Sequence, residues 1–325
     1  MSRADTEPRT LSPTARRIFG VTLGVVSGVT VAVQSRINGE LGVRLGDGIA
    51  AAVVSFGVGL VLLAVLVPAM PAGRRGLRAL RAALAGGELR RWQCLGGVCG
   101  ALLVASQGLT VHQLGVAVFT VAVVAGQSTS SLAVDRAGLG PAGRQPLSGT
   151  RLAGAALAVV AVVVSVSDRI GTPSTLALAA LPALAGVGAA WQQAVNGQVG
   201  AASGSALTAA AVNFTVGTAA LLAAYAVQVA IRGWPTGDWP DQPWLYLGGP
   251  VGIFFIAVAA VLVRFTGVLL LGLATIAGQV IGAVLIDLVA PAASGGPTAH
   301  TLGGAALTLV AVAVAAARPS RRGPP

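Results

Sequence analysis

Lysine is absent from all 325 residues, and acidic residues number only 10. The 21 cationic side chains are all arginines, and charged residues make up 10% of the chain. A soluble domain carries about 25%. So few charges exclude a soluble globular domain, a disordered chain and a coiled coil. Aromatics are scarce as well, at 4%, so the 55% hydrophobic content is aliphatic, with a mean hydropathy of +0.82. His112 and His300 are the only histidines and belong to no metal-ligand spacing. Cys94 and Cys99 fall five apart in one apolar run, which is neither a metal motif nor a disulfide framework. There is no P-loop and no catalytic constellation, so the reading is a non-enzyme, with no cofactor and no metal, that does not itself use ATP.

What is present is glycine, 45 residues of it, scattered through long aliphatic runs. Small residues let membrane helices approach closely, and a spanning helix needs about 20 apolar residues. Charges and Gly/Pro clusters divide the chain into ten spans. Ile18–Ser35 and Gly48–Pro68 are the first two, and the uncharged run Trp92–Val134 holds two more, broken near His112–Gly115. Leu152–Ser167 is a short fifth. Ile170–Ile231 holds two, divided by Asn196–Ser205; Trp244–Val263 and Phe265–Ile286 are separated by Arg264, and Thr301–Ala317 is the last. No small-residue cleavage site follows the first run, so it reads as a retained helix.

An even number of spans puts both termini on one side. Seventeen of the 21 arginines fall on the side of the termini; only Arg36, Arg44, Arg169 and Arg232 fall on the other. Positive charge marks the cytoplasmic side, so both termini are expected in the cytoplasm. Orientation also accounts for the net charge of +11, and no nucleic-acid partner is implied. The Arg74–Arg91 segment alternates arginine with Leu77, Leu80 and Leu84, the pattern of an amphipathic helix on the inner leaflet.

The chain also repeats itself. Gly28–Gly59 set against Gly186–Gly217, an offset of 158, gives 14 identities in 32 positions. Trp92–Asp135 set against Trp244–Asp287, an offset of 152, gives 14 in 44. The matches include Gln34 with Gln192, Asn38 with Asn196, Phe56 with Phe214, Gln127 with Gln279 and Asp135 with Asp287, in one order. The expected fold is therefore an all-α membrane protein of ten transmembrane helices in two five-helix inverted repeats. Residues 18–168 and 169–317 form the halves, and 1–17 and 318–325 are cytoplasmic tails. Five helices per half invert the second half in the membrane, an architecture that suits alternating access.

Gln34-Ser35-Arg36-Ile37-Asn38-Gly39, repeated as Gln192-Gln193-Ala194-Val195-Asn196-Gly197, resembles the YdcZ-like branch of the drug/metabolite transporter superfamily, and so does the ending Ala125-Gly126-Gln127 through Asp135-Arg136-Ala137-Gly138-Leu139. The resemblance spans about residues 18–317. It implies an inner-membrane protein of two five-helix halves related to small-metabolite exporters, and it brings no catalytic residue set. The second half departs from the pattern at Ala290–Pro291, where the first has Gly138–Leu139.

Polar groups inside a membrane cost free energy unless they find partners, so each marks a candidate site. Gln34 and Asn38 share a helix face with Ser27 and Thr30, and Gln192 and Asn196 repeat the spacing. Carboxamides donate and accept, which suits a polar or zwitterionic solute. Asn followed by Gly also ends helices, so Asn38 and Asn196 read as caps ahead of ligand contacts. Gln127 and Gln279, each after Ala-Gly, suit either a close helix crossing or the lining of a path. Ser55 and Asn213 occupy equivalent places, and Trp191 suits stacking on a flat solute or plain packing. Gln107 has no polar counterpart, since Ala259 stands there. Asp135 and Asp287 are the carboxylates available for proton coupling, against a structural role as caps or as a partner for Arg136. The reading is a secondary carrier, an exporter of a small metabolite or drug-like compound, against a membrane scaffold or a channel. The expected partners are the substrate, the lipid bilayer and a second copy of the chain, with the fifth and tenth helices at the periphery or a dimer contact.

Overall fold

Helices start at capping side chains and stop at left-handed glycines. Asp47 Oδ1 accepts from the N–H groups of Ile49 at 2.8 Å and Ala50 at 3.0 Å, and Ser205 Oγ accepts from Thr208 N–H at 3.2 Å. Gly46, Gly115, Gly138 and Gly204 have φ of +64°, +84°, +69° and +63°, a region that costs other residues steric strain. The computed structural model describes residues 13–169, 173–293 and 295–316, with side chains outside 13–17, 169, 173–176 and 257–271. The calls on residues 1–12, on 318–325 and on the junction near residue 170 lie outside the described residues, while residues 13–17, expected in the tail, already belong to the first helix. The described elements are α1 (Pro13–Arg44), α2 (Gly48–Ala69), α3 (Pro71–Ala85), α4 (Gly96–Leu114), α5 (Val116–Ala137), α6 (Gly149–Ser165), α7 (Pro173–Ser203), α8 (Ala206–Arg232), α9 (Gly248–Val289) and α10 (Ala299–Ala316). Among the described residues there is no strand, only an isolated bridge between Ala292 and Gly295.

Among the described residues, eight helical segments are long and apolar enough to cross a membrane: 18–44, 48–69, 91–114, 116–137, 177–203, 206–232, 272–289 and 299–316. The molecule is a helical membrane protein. α6, the expected fifth span, has 17 residues and a length of about 26 Å, just short of the ~30 Å hydrocarbon core. α3 is amphipathic as expected, but its apolar face is docked on protein. Gly76 lies against Ser205 and Thr208, and Leu80 and Ala83 cluster with Val199 and Ala209.

The separator expected at Arg264 is not a gap in helical structure, since α9 runs for 42 residues. Its ends nevertheless lie along one stretch of α1. Gly248 meets Asn38 and Gly252 meets Gln34, so the first arm is antiparallel to α1. Gly278 meets Val25 and Gly282 meets Val29 and Ala32, so the second arm is parallel to it. Straight helix from Gly252 to Gly282 would cover about 45 Å, whereas Ala32 and Gln34 are two residues apart. The chain therefore doubles back between the two arms.

Contacts between the first and second parts of the chain recur in pairs. A Cβ on Gly28 would fall 2.0 Å from Thr275 O, and one on Gly186 would fall 2.1 Å from Val123 O. A Cβ on Gly249 would fall 2.1 Å from Ser55 O, and one on Gly97 would fall 2.2 Å from Asn213 O. Each pair is related by the offsets of 158 and 152. Backbones this close leave no room for a side chain, which is why glycine stands there. α2 and α8 cross at the centre, where Phe56, Phe214, Leu63, Leu221, Ala101 and Ile253 form the largest apolar cluster.

Candidate functional site

Two clusters of carboxamides flank the Phe56–Phe214 contact. Neither asparagine is a helix cap. α1 continues past Asn38 to Arg44, and α7 continues past Asn196 to Ser203. The Asn-Gly pairs looked like helix stops, but the glycines serve close packing. A Cβ on Gly39 would lie 2.8 Å from Val111 Cβ, and one on Gly197 3.0 Å from Pro141 Cδ.

The first cluster joins α1, α2, α4 and the start of α9. Asn38 is fully buried, and its Nδ2 donates to Gln107 Oε1 at 2.6 Å. Gln107 Nε2 donates to Ser35 Oγ at 3.0 Å, and Ser35 Oγ donates to Val31 O. Gln34 Nε2 donates to Gly248 O at 2.9 Å. Asn38 Oδ1 and Ser55 Oγ both face Gly248, are buried, and have no hydrogen-bond partner among the described residues. An unpaired acceptor and hydroxyl away from water is a costly arrangement, and it leaves hydrogen-bonding capacity for a solute.

The second cluster joins α4, α7 and α8. Gln192 Nε2 and Asn196 Nδ2 both donate to Asn213 Oδ1, at 2.9 and 3.0 Å. These side chains lie against Gly96 and Gly100, as Asn38 and Gln34 lie against Gly248 and Gly252. Six of the nine expected substrate residues thus form two matched groups: Gln34, Asn38 and Ser55, and Gln192, Asn196 and Asn213. Gln107 and Ser35 belong to the first group and were missed as site residues. The signal was Gln107 itself, a carboxamide inside a span, set aside because its repeat position holds Ala259.

The other expected residues lie apart. Gln127 and Gln279 sit at the crossings of α5 with α7 and of α1 with α9, with their backbones 3.0 and 2.7 Å from where Cβ atoms of Gly186 and Gly28 would be. Their carboxamides make no hydrogen bond among the described residues, so the structure supports the close crossing without the interhelical bond. Trp191 stacks on Trp92, centroids 6.3 Å apart and planes at 22°. Beside them opens a cavity of about 390 Å³ lined by Glu88, Arg90, Trp92, Gln93, Leu139 and Gln198.

The two carboxylates have different surroundings. Asp135 is half-buried and pairs with Arg151 of α6; of the structural roles open to it, a cap or a partner for Arg136, the ion pair is formed, with a different arginine. Asp287 is buried, and its Oδ1 and Oδ2 accept from Val116 N–H at 2.9 Å and Ala117 N–H at 2.8 Å, at the start of α5. No group of three or more metal-binding side chains occurs among the described residues.

The sequence profile of a family described as "Putative inner membrane exporter, YdcZ" matches residues 19–164 and 177–315. The chain belongs to the YdcZ family. No curated protein matches it. Five chains of solved structures do. One of them, a crystal structure of another protein, aligns with a TM-score of 0.50 at 18% identity, covering 94% of this chain and 98% of that one, a likeness of fold alone. In this YdcZ chain α1, α2, α4, α7, α8 and the first arm of α9 bring the carboxamide clusters to either side of one aromatic pair.

Proposed function

We propose that this YdcZ protein is a secondary carrier that exports a small polar metabolite or drug-like compound across the inner membrane by alternating access. It has ten spans, counting α9 as two arms, in inverted halves 18–168 and 169–317, with both termini cytoplasmic. α6 and α10 pack on one another at the edge, through Gly154 against Ala315 and Gly304 against Ser165. Their outward faces, with Val159, Val163, Leu302 and Val310 exposed, meet lipid.

The observation that carries the reading is the pairing of the clusters. Gln34, Asn38 and Ser55 match Gln192, Asn196 and Asn213 in sequence and hold matched places against Gly248 and Gly96. In inverted halves one cluster faces outward and the other cytoplasmward, so a solute released by one can be taken by the other. Donors and acceptors are both present, and no charge of one sign dominates, which fits neutral polar or zwitterionic solutes. Trp92 and Trp191 at the cytoplasmic mouth suit a flat group on the solute.

The test is thermal stabilisation of the purified protein by a panel of amino acids, small metabolites and cationic drugs, followed by counterflow of any hit in proteoliposomes. A compound that stabilises the wild type, fails to stabilise Gln34→Leu/Gln192→Leu and shows saturable counterflow is the expected result. Flux that neither saturates nor shows counterflow would indicate a channel. A double variant with full stability and unchanged cellular phenotype would indicate a scaffold.

A further inference from the structure

Gly87 and Gly138, with φ of +76° and +69°, turn the chain after α3 and after α5, and both line the cavity of about 390 Å³ beside the Trp92–Trp191 stack. That volume lies within the usual range of small-molecule pockets. Leu89 is buried with Leu80, Val199 and Ala209, which pins the stretch between Gly87 and Trp92 to the protein. Glu88 and Arg90, on either side of Leu89, both line the cavity. Neither takes part in an ion pair among the described residues. Arg90 N–H donates to Gln93 Oε1 at 2.7 Å, which fixes the Gln93 carboxamide at the wall. One carboxylate, one guanidinium and one indole therefore share a space of small-molecule size.

The repeat positions at the other end of the molecule lack these groups. By the offset of 152, Glu88, Arg90 and Gln93 correspond to Pro240, Gln242 and Leu245, and Leu245 is buried in an apolar cluster. Trp92 corresponds to Trp244, but Trp191 corresponds by the offset of 158 to Val33, so the stack is not repeated. Gln198, which lines the cavity, corresponds to Glu40, and Glu40 is held by Arg44 at 3.1 Å and Arg36 at 4.0 Å. The repeat keeps the packing glycines and changes the groups that could bind a charged solute.

The cavity also adjoins the second carboxamide cluster. A Cβ on Gly96, four residues after Trp92, would fall 2.7 Å from Asn196 Oδ1, and Gln198 follows Asn196 by two residues. A solute seated on Trp92 is thus about one helical turn from Gln192, Asn196 and Asn213.

We infer that this cavity is the loading site of the carrier and that it takes zwitterions bearing a flat ring. Glu88 receives the ammonium group, Arg90 the carboxylate, and Trp92, backed by Trp191, the ring. The site stands on the cytoplasmic face alone. It raises occupancy from that face and supplies no driving force. The inference rests on the carrier reading above and narrows its solute class.

The test is calorimetric titration of the purified full-length protein with phenylalanine, 2-phenylethylamine, 3-phenylpropanoate and cyclohexylalanine. The last three lack in turn the carboxylate, the ammonium group and the planarity of the ring. Phenylalanine is expected to bind about fivefold more tightly than each of them, the scale of one part-exposed ion pair or one ring contact. Glu88→Gln should erase the preference for phenylalanine over 3-phenylpropanoate and keep that over 2-phenylethylamine. Arg90→Gln should do the reverse. Both side chains are exposed, so neither variant disturbs the core. Trp92→Ala should erase the preference over cyclohexylalanine, and Trp92→Phe should keep it. No binding of phenylalanine, equal binding of all four compounds, or two charge variants that alter the preferences alike would overturn the loading site.

Counterflow of phenylalanine in proteoliposomes separates this failure from failure of the carrier reading. Saturable counterflow that Glu88→Gln and Arg90→Gln both leave unchanged overturns the loading site and leaves the carrier. Binding with the expected preferences but without counterflow keeps the zwitterion site and overturns the carrier.

Discussion

Phe56 and Phe214 face each other at the crossing of α2 and α8, ring centroids 4.8 Å apart and planes at 30°, and each ring fills the space over the other helix's glycine. A Cβ on Gly217 would fall 2.2 Å from Phe56 Cε1, and a Cβ on Gly59 would fall 2.2 Å from Phe214 Cε1. Overpacking of a filled core costs about 1–3 kcal/mol. Gly59→Ala and Gly217→Ala should each destabilise the protein by that amount in a denaturation titration in detergent. Phe214→Leu should recover part of the loss in Gly59→Ala and none of it in Gly217→Ala. Equal rescue of both would mean that the rings are not the obstacle.

Gln107 is the one residue that ties Asn38 to Ser35, through bonds of 2.6 and 3.0 Å. Interhelical hydrogen bonds in membranes are worth about 0.6–1.7 kcal/mol each. Gln107→Leu should therefore cost about 1–2 kcal/mol. Asn38→Leu should cost less on the Gln107→Leu background than on the wild type, because its partner is already gone. Gln127→Leu, whose carboxamide makes no hydrogen bond among the described residues, should change stability by no more than about 0.5 kcal/mol. A Gln127→Leu loss as large as that of Gln107→Leu would contradict the assignment of both.

The same residues show how far the fold and the candidate site were legible before the structure. Hydropathy located the eight apolar helices found among the described residues, because length and apolarity are set by the bilayer, whereas the expected fifth span is a shorter helix and the separator at Arg264 lies inside α9. The repeat offsets of 158 and 152 relate the glycine contacts of one half to those of the other, but which backbone each glycine meets appears only in the folded chain. Local helix-stop signals misled at Asn38–Gly39 and Asn196–Gly197, because a glycine needed for packing has the same letter as one needed for a left-handed turn. Gly46 and Gly204 were the true stops. Gln107 was hidden by the repeat itself. The first half gained a carboxamide where the second has Ala259, and only the hydrogen bonds reveal its role. The partners of Asp135 and Asp287 depend on contacts 16 and 170 residues away, which no local pattern encodes.

Asp47 joins two helices at the expected external end. Its Oδ1 caps α2 through Ile49 and Ala50, and its Oδ2 accepts from Gln228 of α8. Loss of an N-cap costs about 1 kcal/mol, and Asn caps nearly as well as Asp. Asp47→Ala should lower stability by about 1–2 kcal/mol in the same titration, while Asp47→Asn should keep most of it. If the two variants lose equally, the charge on Asp47 matters more than the cap.

Asn213 distinguishes the two clusters, since its Oδ1 takes both Gln192 and Asn196, whereas Ser55 stands at that place in the first half and Gln34 turns to Gly248 O. Asn213→Leu leaves two carboxamide donors without their acceptor, and an unmet buried donor costs about 1–3 kcal/mol. Asn213→Ser recreates the first half's arrangement and keeps a hydroxyl acceptor. Under the carrier reading, counterflow of a compound found by thermal stabilisation should fall at least tenfold in Asn213→Leu, about 1.4 kcal/mol. It should stay within about threefold of wild type in Asn213→Ser, a loss of less than 1 kcal/mol. Trp92→Phe, which keeps the stack on Trp191, should transport like the wild type. Full counterflow in Asn213→Leu would remove the second cluster from the solute's path and restrict binding to Gln34, Asn38 and Ser55.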